Sequence, residues 1–370
     1  MRIVGIVWLW MSVWGVMVGV SLPQTCIGVT YSAPRRGTGR GTGERIAAGM
    51  KQLNARSLRV EEADTGITRS LLYTNISLFL TIPNYMVSSM AENRSVAESW
   101  LYTHVVPFYP RVKIKSISVG NAFPDVYPES INDLLPAISN VHLSLRDLGI
   151  RNIQVSSSFS FLTALSSPFP PSNAHFQEPP SATLFGPLLQ FLHDTNSSFF
   201  INLYPYNLYR LRPDIPLGIA LFQQHPFNFR DDFTTGLRYR NLFDIMLDAL
   251  VSALSLSGYD TIPLVVTETG WPTSSTAPND FDANLGYSHI YLRGLVTHLK
   301  SGMGTPLLKD SLRHVFVYHM FHNEQQTRDW GLLFPNGTPK YPVDFSSSSS
   351  SSVTSPPLII LFFLFLIISF

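Results

Sequence analysis

The chain has one cysteine, Cys26, among 370 residues. A single cysteine excludes an intramolecular disulfide, so stability must come from burying apolar side chains, and a large domain with 45% hydrophobic residues can achieve this. Basic and acidic residues nearly balance, which gives a formal net charge of +1. The composition therefore provides no electrostatic reason to expect nucleic acid or an anionic membrane surface as a partner.

Several motifs that would indicate other chemistries are absent. The glycines of Arg35–Glu44 alternate, so they do not form G-x-G-x-x-G, and no Gly-Lys-Ser/Thr follows them. His319 and His322 have no H-E-x-x-H helix around them and no cysteine pair near them, and no G-x-S-x-G motif occurs. We therefore expect a flexible loop at Arg35–Glu44, no metal, no cofactor and no serine nucleophile.

Long uncharged apolar runs occur only at the two ends. Arg2 precedes IVGIVWLWMSVWGVMVGV, which is typical of a secretory signal peptide, and we place this peptide at residues 1–25, with an uncleaved signal anchor as the alternative. Seven serines open residues 346–370, which end in LIILFFLFLIISF, a pattern typical of a glycosylphosphatidylinositol (GPI) signal. A plain tail anchor is the alternative, although thirteen residues are short for a span of ~20.

These ends predict a protein outside the cell, either on the outer face of the plasma membrane through its lipid anchor or in the cell wall. We expect membrane contact only through that lipid, and a monomer. Four N-x-[ST] sequons agree with secretion, and the one beside a predicted buried strand is the least favourable for glycosylation: Asn75, Asn93, Asn196 and Asn336.

Between the ends, short β-branched or apolar runs alternate with longer helical patterns. Helices are predicted at Glu44–Leu53, Val96–Val105, Asn132–Leu148 and Leu242–Ser255. Eight strands are predicted at Ile27–Tyr31, Ser57–Glu61, Ser77–Ile82, Lys115–Gly120, Asn152–Ser157, Phe199–Tyr204, Pro263–Thr267 and His314–Met320. This alternation indicates an α/β fold, a single-domain (β/α)₈ TIM barrel over residues 26–345, with its chemistry at the carboxyl ends of the strands.

The stretch VVTETGWPT places Glu268 at the end of the seventh strand, immediately before a Gly-Trp-Pro turn. A carboxylate at the barrel mouth beside aromatic rings, such as those of Trp271 and Tyr204, suits attack on a sugar, because sugar rings stack on aromatics and the transition state carries positive charge. A structural Glu paired with an Arg is the alternative.

Several blocks in order resemble glycoside hydrolase family 17, the plant glucan endo-1,3-beta-glucosidases, from about Ile27 to Phe345. They include IGVTY, VVPFYP, ISVGN, FFINLYPY, TGLRYRNLFD, VVTETGWP and RDWGLLFPNGTPKY. The resemblance implies a barrel that cleaves β-1,3-glucan internally with retention of configuration. It also implies that Glu268 is the nucleophile, and that sugar is held by Tyr31, Asn121, Tyr204, Tyr206, Trp271 and Glu324.

The chain departs from that family at the proton donor. Family members read Val-Gly-Asn-Glu at the end of strand four, whereas here Ala122 follows Asn121. After strand eight, the family's Glu and Lys correspond to Asn323 and Gln326, and at strand two Leu-Tyr-Asp becomes Val60-Glu61-Glu62. The acid/base position is therefore lost, while the nucleophile is present.

Two functions remain open from the sequence. In the first, the protein hydrolyses β-1,3-glucan weakly at the cell surface, with Asp125, Glu61 or Glu324 as a relocated acid. In the second, it is a non-catalytic glucan-binding or wall-organising protein. Both have the same ligand, fold and location.

Overall fold

The computed structural model describes residues 25–33, 41–309, 312–323 and 326–346. The apolar stretches predicted to be a signal peptide and an anchor signal, and also Glu324, lie outside the described residues. The described part contains a closed barrel of eight parallel strands, in which each strand pairs with the next along the chain and β8 pairs with β1. The strands are β1 Cys26–Tyr31, β2 Ser57–Val60, β3 Ser77–Ile82, β4 Lys113–Asn121, β5 Gln154–Ser160, β6 Phe199–Asn202, β7 Leu264–Thr269 and β8 His314–Val317.

The predicted (β/α)₈ barrel is confirmed, and the differences lie at the carboxyl ends of strands. Strand β4 continues to Asn121 and β7 to Thr269, while β6 stops at Asn202. Soon after, Pro205 occupies the first position of the next helix, where a missing N–H costs nothing. The carboxyl ends of these three strands determine where the residues at the barrel mouth lie.

Helices connect the strands and cover the barrel. Asn241 and Asn284 begin the two longest of them by accepting hydrogen bonds from Asp244 N and Tyr287 N, which satisfies backbone donors that have no partner within the helix. The helices are α1 Thr42–Gln52, α2 Thr65–Ser70, α3 Val87–Glu92, α4 Arg94–His104, α5 Leu134–Asp147, α6 Gly186–Asp194, α7 Pro205–Leu211, α8 Leu242–Leu256 and α9 Leu285–Ser301.

The loops contain shorter elements. Three two-stranded ribbons pair Leu165–Ser166 with His175–Phe176, Arg230–Asp232 with Leu237–Tyr239, and Ser274–Ser275 with Arg328–Asp329. Single turns of helix occur at Asn84–Met86, Phe123–Val126, Pro128–Asp133, Phe161–Ala164, Pro171–Asn173, Ser181–Phe185 and Leu217–Ala220. None of the helices that the structure describes combines the length and the apolar character needed to cross a bilayer.

The interior of the barrel is a packed core. Phe79, Phe200, Val265 and Phe316 form a separate apolar cluster, in which the rings of Phe79 and Phe316 meet edge-on at 4.6 Å. This cluster closes the barrel, so it is not a pore. The polar side chains of the site described below lie on the other side of this cluster, towards the carboxyl ends of the strands.

Candidate active site

Glu268 lies at the carboxyl end of β7 and is 5% exposed. Its Oε1 accepts hydrogen bonds from Arg59 Nη1 at 2.6 Å and from Asn121 Nδ2 at 2.9 Å, and its Oε2 accepts one from the Tyr204 hydroxyl at 2.7 Å. Three donors from β2, β4 and the β6–α7 junction therefore converge on one carboxylate. Such a set holds a buried carboxylate in a fixed orientation and compensates its charge.

The ion pair with Arg59 is buried, since the Arg59 side chain is 1% exposed. An Arg–Glu pair alone is compatible with a structural role, which is the alternative that the sequence left open. Asn121 and Tyr204 add two further donors at the barrel mouth, which a simple pair does not need. Such a set of donors is more typical of a carboxylate that is oriented to act as a nucleophile than of a carboxylate with only a structural role.

A relay of amide groups orients Asn121. Thr267 Oγ1 donates to Asn202 Oδ1 at 2.8 Å, and Asn202 Nδ2 donates to Asn121 Oδ1 at 2.8 Å. Because its oxygen is engaged in this way, Asn121 must present its amide nitrogen to Glu268. The two N–H groups of that nitrogen are directed at Glu268 Oε1, at 2.9 Å, and at Glu61 Oε1, at 3.2 Å.

The backbone at the end of β4 is fixed by Asn84. Asn84 Nδ2 donates to the Asn121 carbonyl at 3.0 Å, and the Asn121 N–H donates to Asn84 Oδ1 at 2.7 Å. Gly120 precedes this clamp with φ of 74°, and a Cβ there would lie 2.9 Å from Asn84 Oδ1. Glycine is therefore required both by the left-handed backbone and by the close approach of Asn84.

Ala122 follows in the left-handed region with φ of 46° and ψ of 41°, and its N–H donates to the Ser158 carbonyl at 2.8 Å. Its methyl group supplies neither a proton nor an acceptor. Asp125, one of the predicted substitutes, accepts a hydrogen bond from Thr163 at 2.6 Å beyond the end of β5 and does not line the mouth cavity described below. Position 122 is thus left without an acidic group.

Glu61 lies directly beside the nucleophile position. Its Oε1 is 3.2 Å from Asn121 Nδ2 and 3.9 Å from Arg59 Nη1, the two donors that also serve Glu268. Ser32 donates to its other oxygen. Burial and the negative charge of Glu268 raise the pKa of Glu61 to about 8, against the opposing effect of Arg59.

Substitution Glu61→Gln is expected to change how stability depends on pH. The folded-state pKa of Glu61 is raised above its usual 4.5, so its contribution to stability is present at low pH and is lost as pH rises through about 8. Glutamine cannot ionise. The difference in melting temperature, variant minus wild type, should therefore increase between pH 5 and pH 9; a constant difference would contradict the raised pKa.

A cavity of about 310 Å³ opens beside this pair at the mouth. Glu61, Asn121, Tyr85 and Tyr127 contribute to its walls. Within the described ranges, no group of three or more His, Cys, Asp or Glu side chains is arranged to hold a metal ion. The cavity therefore presents carboxyl, amide and aromatic groups, which are suited to a polyol such as a sugar.

The predicted aromatic residues occupy two levels. The Tyr204 ring contacts that of Trp330 at 5.0 Å, and its hydroxyl reaches Glu268. Burial and the charge of Glu268 raise the pKa of Tyr204 well above 10, so the hydroxyl remains a donor. Trp271 and Tyr206 lie beneath, 2% and 0% exposed, with ring centroids 4.8 Å apart. They support the site rather than offer a free stacking face.

Tyr31 is placed away from Glu268. It pairs with Val60 in the β1–β2 register and packs edge-on against Phe321 at 6.3 Å, while its neighbour Thr30 points to β7. Since successive strand residues face opposite sides, Tyr31 faces the helix layer. The structure thus brings Asn121, Tyr204 and Glu268 together and leaves Tyr31 outside the group.

Sequence reasoning missed Arg59, Asn202 and Trp330 as parts of the site. A signal existed for Arg59, because a charged residue inside the buried strand SLRV needs a partner in the interior. Trp330 lay in a block that resembled the family but was not singled out. Asn202 also lay in such a block, FFINLYPY, but its role depends on contacts with β4 and β7.

Comparisons with known proteins agree with this geometry. A family model described as "Glycosyl hydrolases family 17" matches residues 27–345. The probable glucan endo-1,3-beta-glucosidase A6 of Arabidopsis thaliana is 34% identical over 86% of this chain and 68% of its own length. For glucan endo-1,3-beta-glucosidase 12 of the same plant the identity is also 34%, over 86% of this chain and 60% of the relative, so the chain spans about three fifths of that protein.

A solved structure gives the same result. CJP38, a beta-1,3-glucanase and allergen of Cryptomeria japonica pollen, superposes with a TM-score of 0.79 at 31% identity, covering 86% of this chain and 99% of that one. Matches of this extent, across the barrel and the strand ends that hold Glu268, show the family. The chain belongs to glycosyl hydrolase family 17.

Proposed function

We propose that this protein binds β-1,3-glucan in the barrel mouth and hydrolyses it slowly, with Glu268 as the nucleophile. The observation that carries the proposal is the contrast between a fully supported Glu268 and a methyl group at position 122. The names of the relatives and of the solved structure indicate the ligand.

The chemistry explains the expected slowness. Retaining glycosidases need two carboxyl groups ~5–5.5 Å apart, so that one attacks the anomeric carbon while the other protonates the departing oxygen. Glu61 Oε1 and Glu268 Oε1 share the Asn121 Nδ2 donor, at 3.2 Å and 2.9 Å, so Glu61 lies beside Glu268 and not across a bound sugar from it. Neither Glu61 nor Asp125 therefore takes the place of the missing donor. Without a proton, the leaving group is an alkoxide, and loss of a positioned acid costs ~10²- to 10⁴-fold in rate.

The test pairs binding with hydrolysis on one preparation. Calorimetry should show binding of laminarihexaose, a β-1,3-linked hexamer, with weaker binding of the β-1,4-linked cellohexaose as control. The same sample should release little reducing sugar from laminarin. Hydrolysis as fast as that of a complete family enzyme would refute the slow-turnover proposal, and the absence of binding would refute the ligand.

A purely binding role is the second candidate, favoured because neither Glu61 nor Asp125, the two candidate acids within the described ranges, lies across from Glu268. It predicts saturable binding and no turnover above background even after long incubation. Both roles share the groove, so the same assay distinguishes them through the residual rate.

Tyr85 is expected to extend the binding groove. Its ring is 72% exposed and lines both the mouth cavity and a neighbouring cavity of about 550 Å³ that reaches Trp100. Tyr85→Ala should weaken laminarihexaose about five- to tenfold through a lost stacking contact and leave laminaribiose unchanged. Tyr102→Ala, which removes another exposed tyrosine outside these cavities, is the matched control; equal losses for both oligosaccharides would contradict an extended groove.

We also propose an extracellular, lipid-anchored protein, on the basis of the end sequences alone. The four sequon asparagines are all exposed, which permits glycosylation, including at Asn75, the site that we had ranked lowest. Phosphatidylinositol-specific phospholipase C should release the protein from plant membranes in soluble form. Retention after complete digestion would contradict the lipid anchor.

A further inference from the structure

The placement of Glu61 beside Glu268 has no function in the mechanism described so far. The two groups come from β2 and β7, on different sides of the barrel, and meet at two shared donors. Asn121 Nδ2 lies 3.2 Å from Glu61 Oε1 and 2.9 Å from Glu268 Oε1. Arg59 Nη1 lies 3.9 Å and 2.6 Å from the same two oxygens.

One guanidinium cannot balance two carboxylates. With both ionised, the pair and Arg59 would carry one net negative charge in a largely buried site, where repulsion is weakly screened. A single proton shared by the pair removes that charge and provides a hydrogen bond between the carboxyls. The side chain of Glu61 is 20% exposed and that of Glu268 6%, so water screens the repulsion between two ionised groups only weakly.

We propose that Glu61 is a positioning residue that restrains the nucleophile: its protonated carboxyl donates a hydrogen bond to Glu268, and loss of that proton frees Glu268 for attack. The proposal rests on Glu268 being the nucleophile. With Glu61 protonated, the two oxygens of Glu268 accept from Arg59, Asn121, Tyr204 and Glu61. Each donor stabilises the ground-state anion, which must give up electron density when it attacks, so every donor slows the attack.

The surrounding charges define the pH range. Five charged or titratable groups act on Glu61 or are acted on by it. Arg59 lies on β2 and Glu62 directly follows Glu61. Glu268 lies on β7, Tyr204 follows β6 and Tyr318 follows β8. Burial, followed by neighbouring carboxylate charge, raises the pKa values of Tyr204 and Tyr318 above 10, so both stay protonated up to pH 9. With the pKa of Glu61 raised to about 8, Glu61 is the group that changes charge between pH 7 and pH 9.

A fluorinated sugar isolates the attack from the missing acid. In 2-deoxy-2-fluoro-β-laminaribiosyl fluoride, a Glu268 oxygen forms an ester bond to C1 while the C1–F bond breaks and fluoride leaves with the electron pair. Fluoride leaves as a stable anion, so its departure needs no proton donor, and the covalent glycosyl-enzyme persists. Its formation is counted by intact mass spectrometry of the full-length mature protein.

The labelling rate should rise about tenfold from pH 7 to pH 9, because the ionised fraction of Glu61 grows from about one tenth to about nine tenths. Glu61→Gln, whose amide donates at every pH, should label slowly with no rise, and Asp125→Asn should keep the wild-type profile.

Labelling of wild type that is independent of pH, or a full rise in Glu61→Gln, would overturn the proposal while leaving Glu268 as nucleophile. No label on Glu268 in any variant at any pH would overturn the nucleophile assignment, and this proposal with it. Melting temperatures that stay well above the assay temperature at each pH show that slow labelling in Glu61→Gln does not come from unfolding.

Discussion

Substitution Ala122→Glu is expected to raise the rate of β-1,3-glucan hydrolysis by ~10²- to 10⁴-fold, the usual contribution of a positioned general acid. The main chain there is already fixed, since Ala122 N–H bonds the Ser158 carbonyl and Asn84 clamps Asn121. The new side chain extends from an existing Cβ without requiring a new backbone conformation. Release of reducing sugar from laminarin measures the gain.

Ala122→Gln is the control, because it adds the same bulk without an acid. Equal rates for the Glu and Gln variants would show that proton supply is not what limits this site. In that case the departures after β8 also matter: Gln326 donates to the Tyr318 hydroxyl at 3.0 Å, and the Asn323 N–H donates to Asp329 Oδ1 at 3.2 Å. Restoring Glu and Lys at these two positions in the Ala122→Glu background is then the next experiment.

The second large effect is expected on the turnover of an activated aryl glycoside when azide is added. A 2,4-dinitrophenyl β-laminaribioside has a leaving group that departs without protonation, so Glu268 should form the glycosyl-enzyme and release a burst of dinitrophenol equal to the protein. Hydrolysis of that ester needs a general base, which position 122 cannot provide. Azide is already an anion and should accelerate turnover at least tenfold, part of the ~10²- to 10⁴-fold that a base contributes.

The product identifies the pathway. Attack by azide on an intermediate held by Glu268 gives a β-glycosyl azide, because two inversions retain configuration. Glu268→Ala should show neither burst nor β-azide product. A wild-type rate that azide does not change, with steady turnover from the start, would contradict the account, because it would mean that another base already activates water.

The sequence predicted the barrel well because its periodicity is local. Strand β3 was located with both its ends, and Asn241 and Asn284 are strong helix-starting residues. The placement of Glu268 at the mouth likewise followed from one strand and the Gly-Trp-Pro turn after it. These features depend only on neighbouring residues, so they can be predicted without knowledge of distant contacts.

The carboxyl pair could not be derived in the same way. Arg59 and Glu268 are 209 residues apart, and their contact depends on the closure of the barrel. Glu61 was named as a possible acid, but only the structure places it against Glu268. The resemblance implies that Trp271 and Tyr206 hold sugar, but only the structure shows that their rings pack against each other and that Tyr206 also packs against Trp330.

The dependence of rate on the leaving group tests the account most directly. The measurement compares kcat/KM for wild type on aryl β-laminaribiosides whose phenols range from strongly to weakly acidic. The proposal that the departing oxygen receives no proton predicts that the rate falls steeply as the phenol becomes less acidic, and that Ala122→Glu flattens that dependence. A shallow dependence in the wild-type protein would show that a proton donor is already present in the site and would contradict the account.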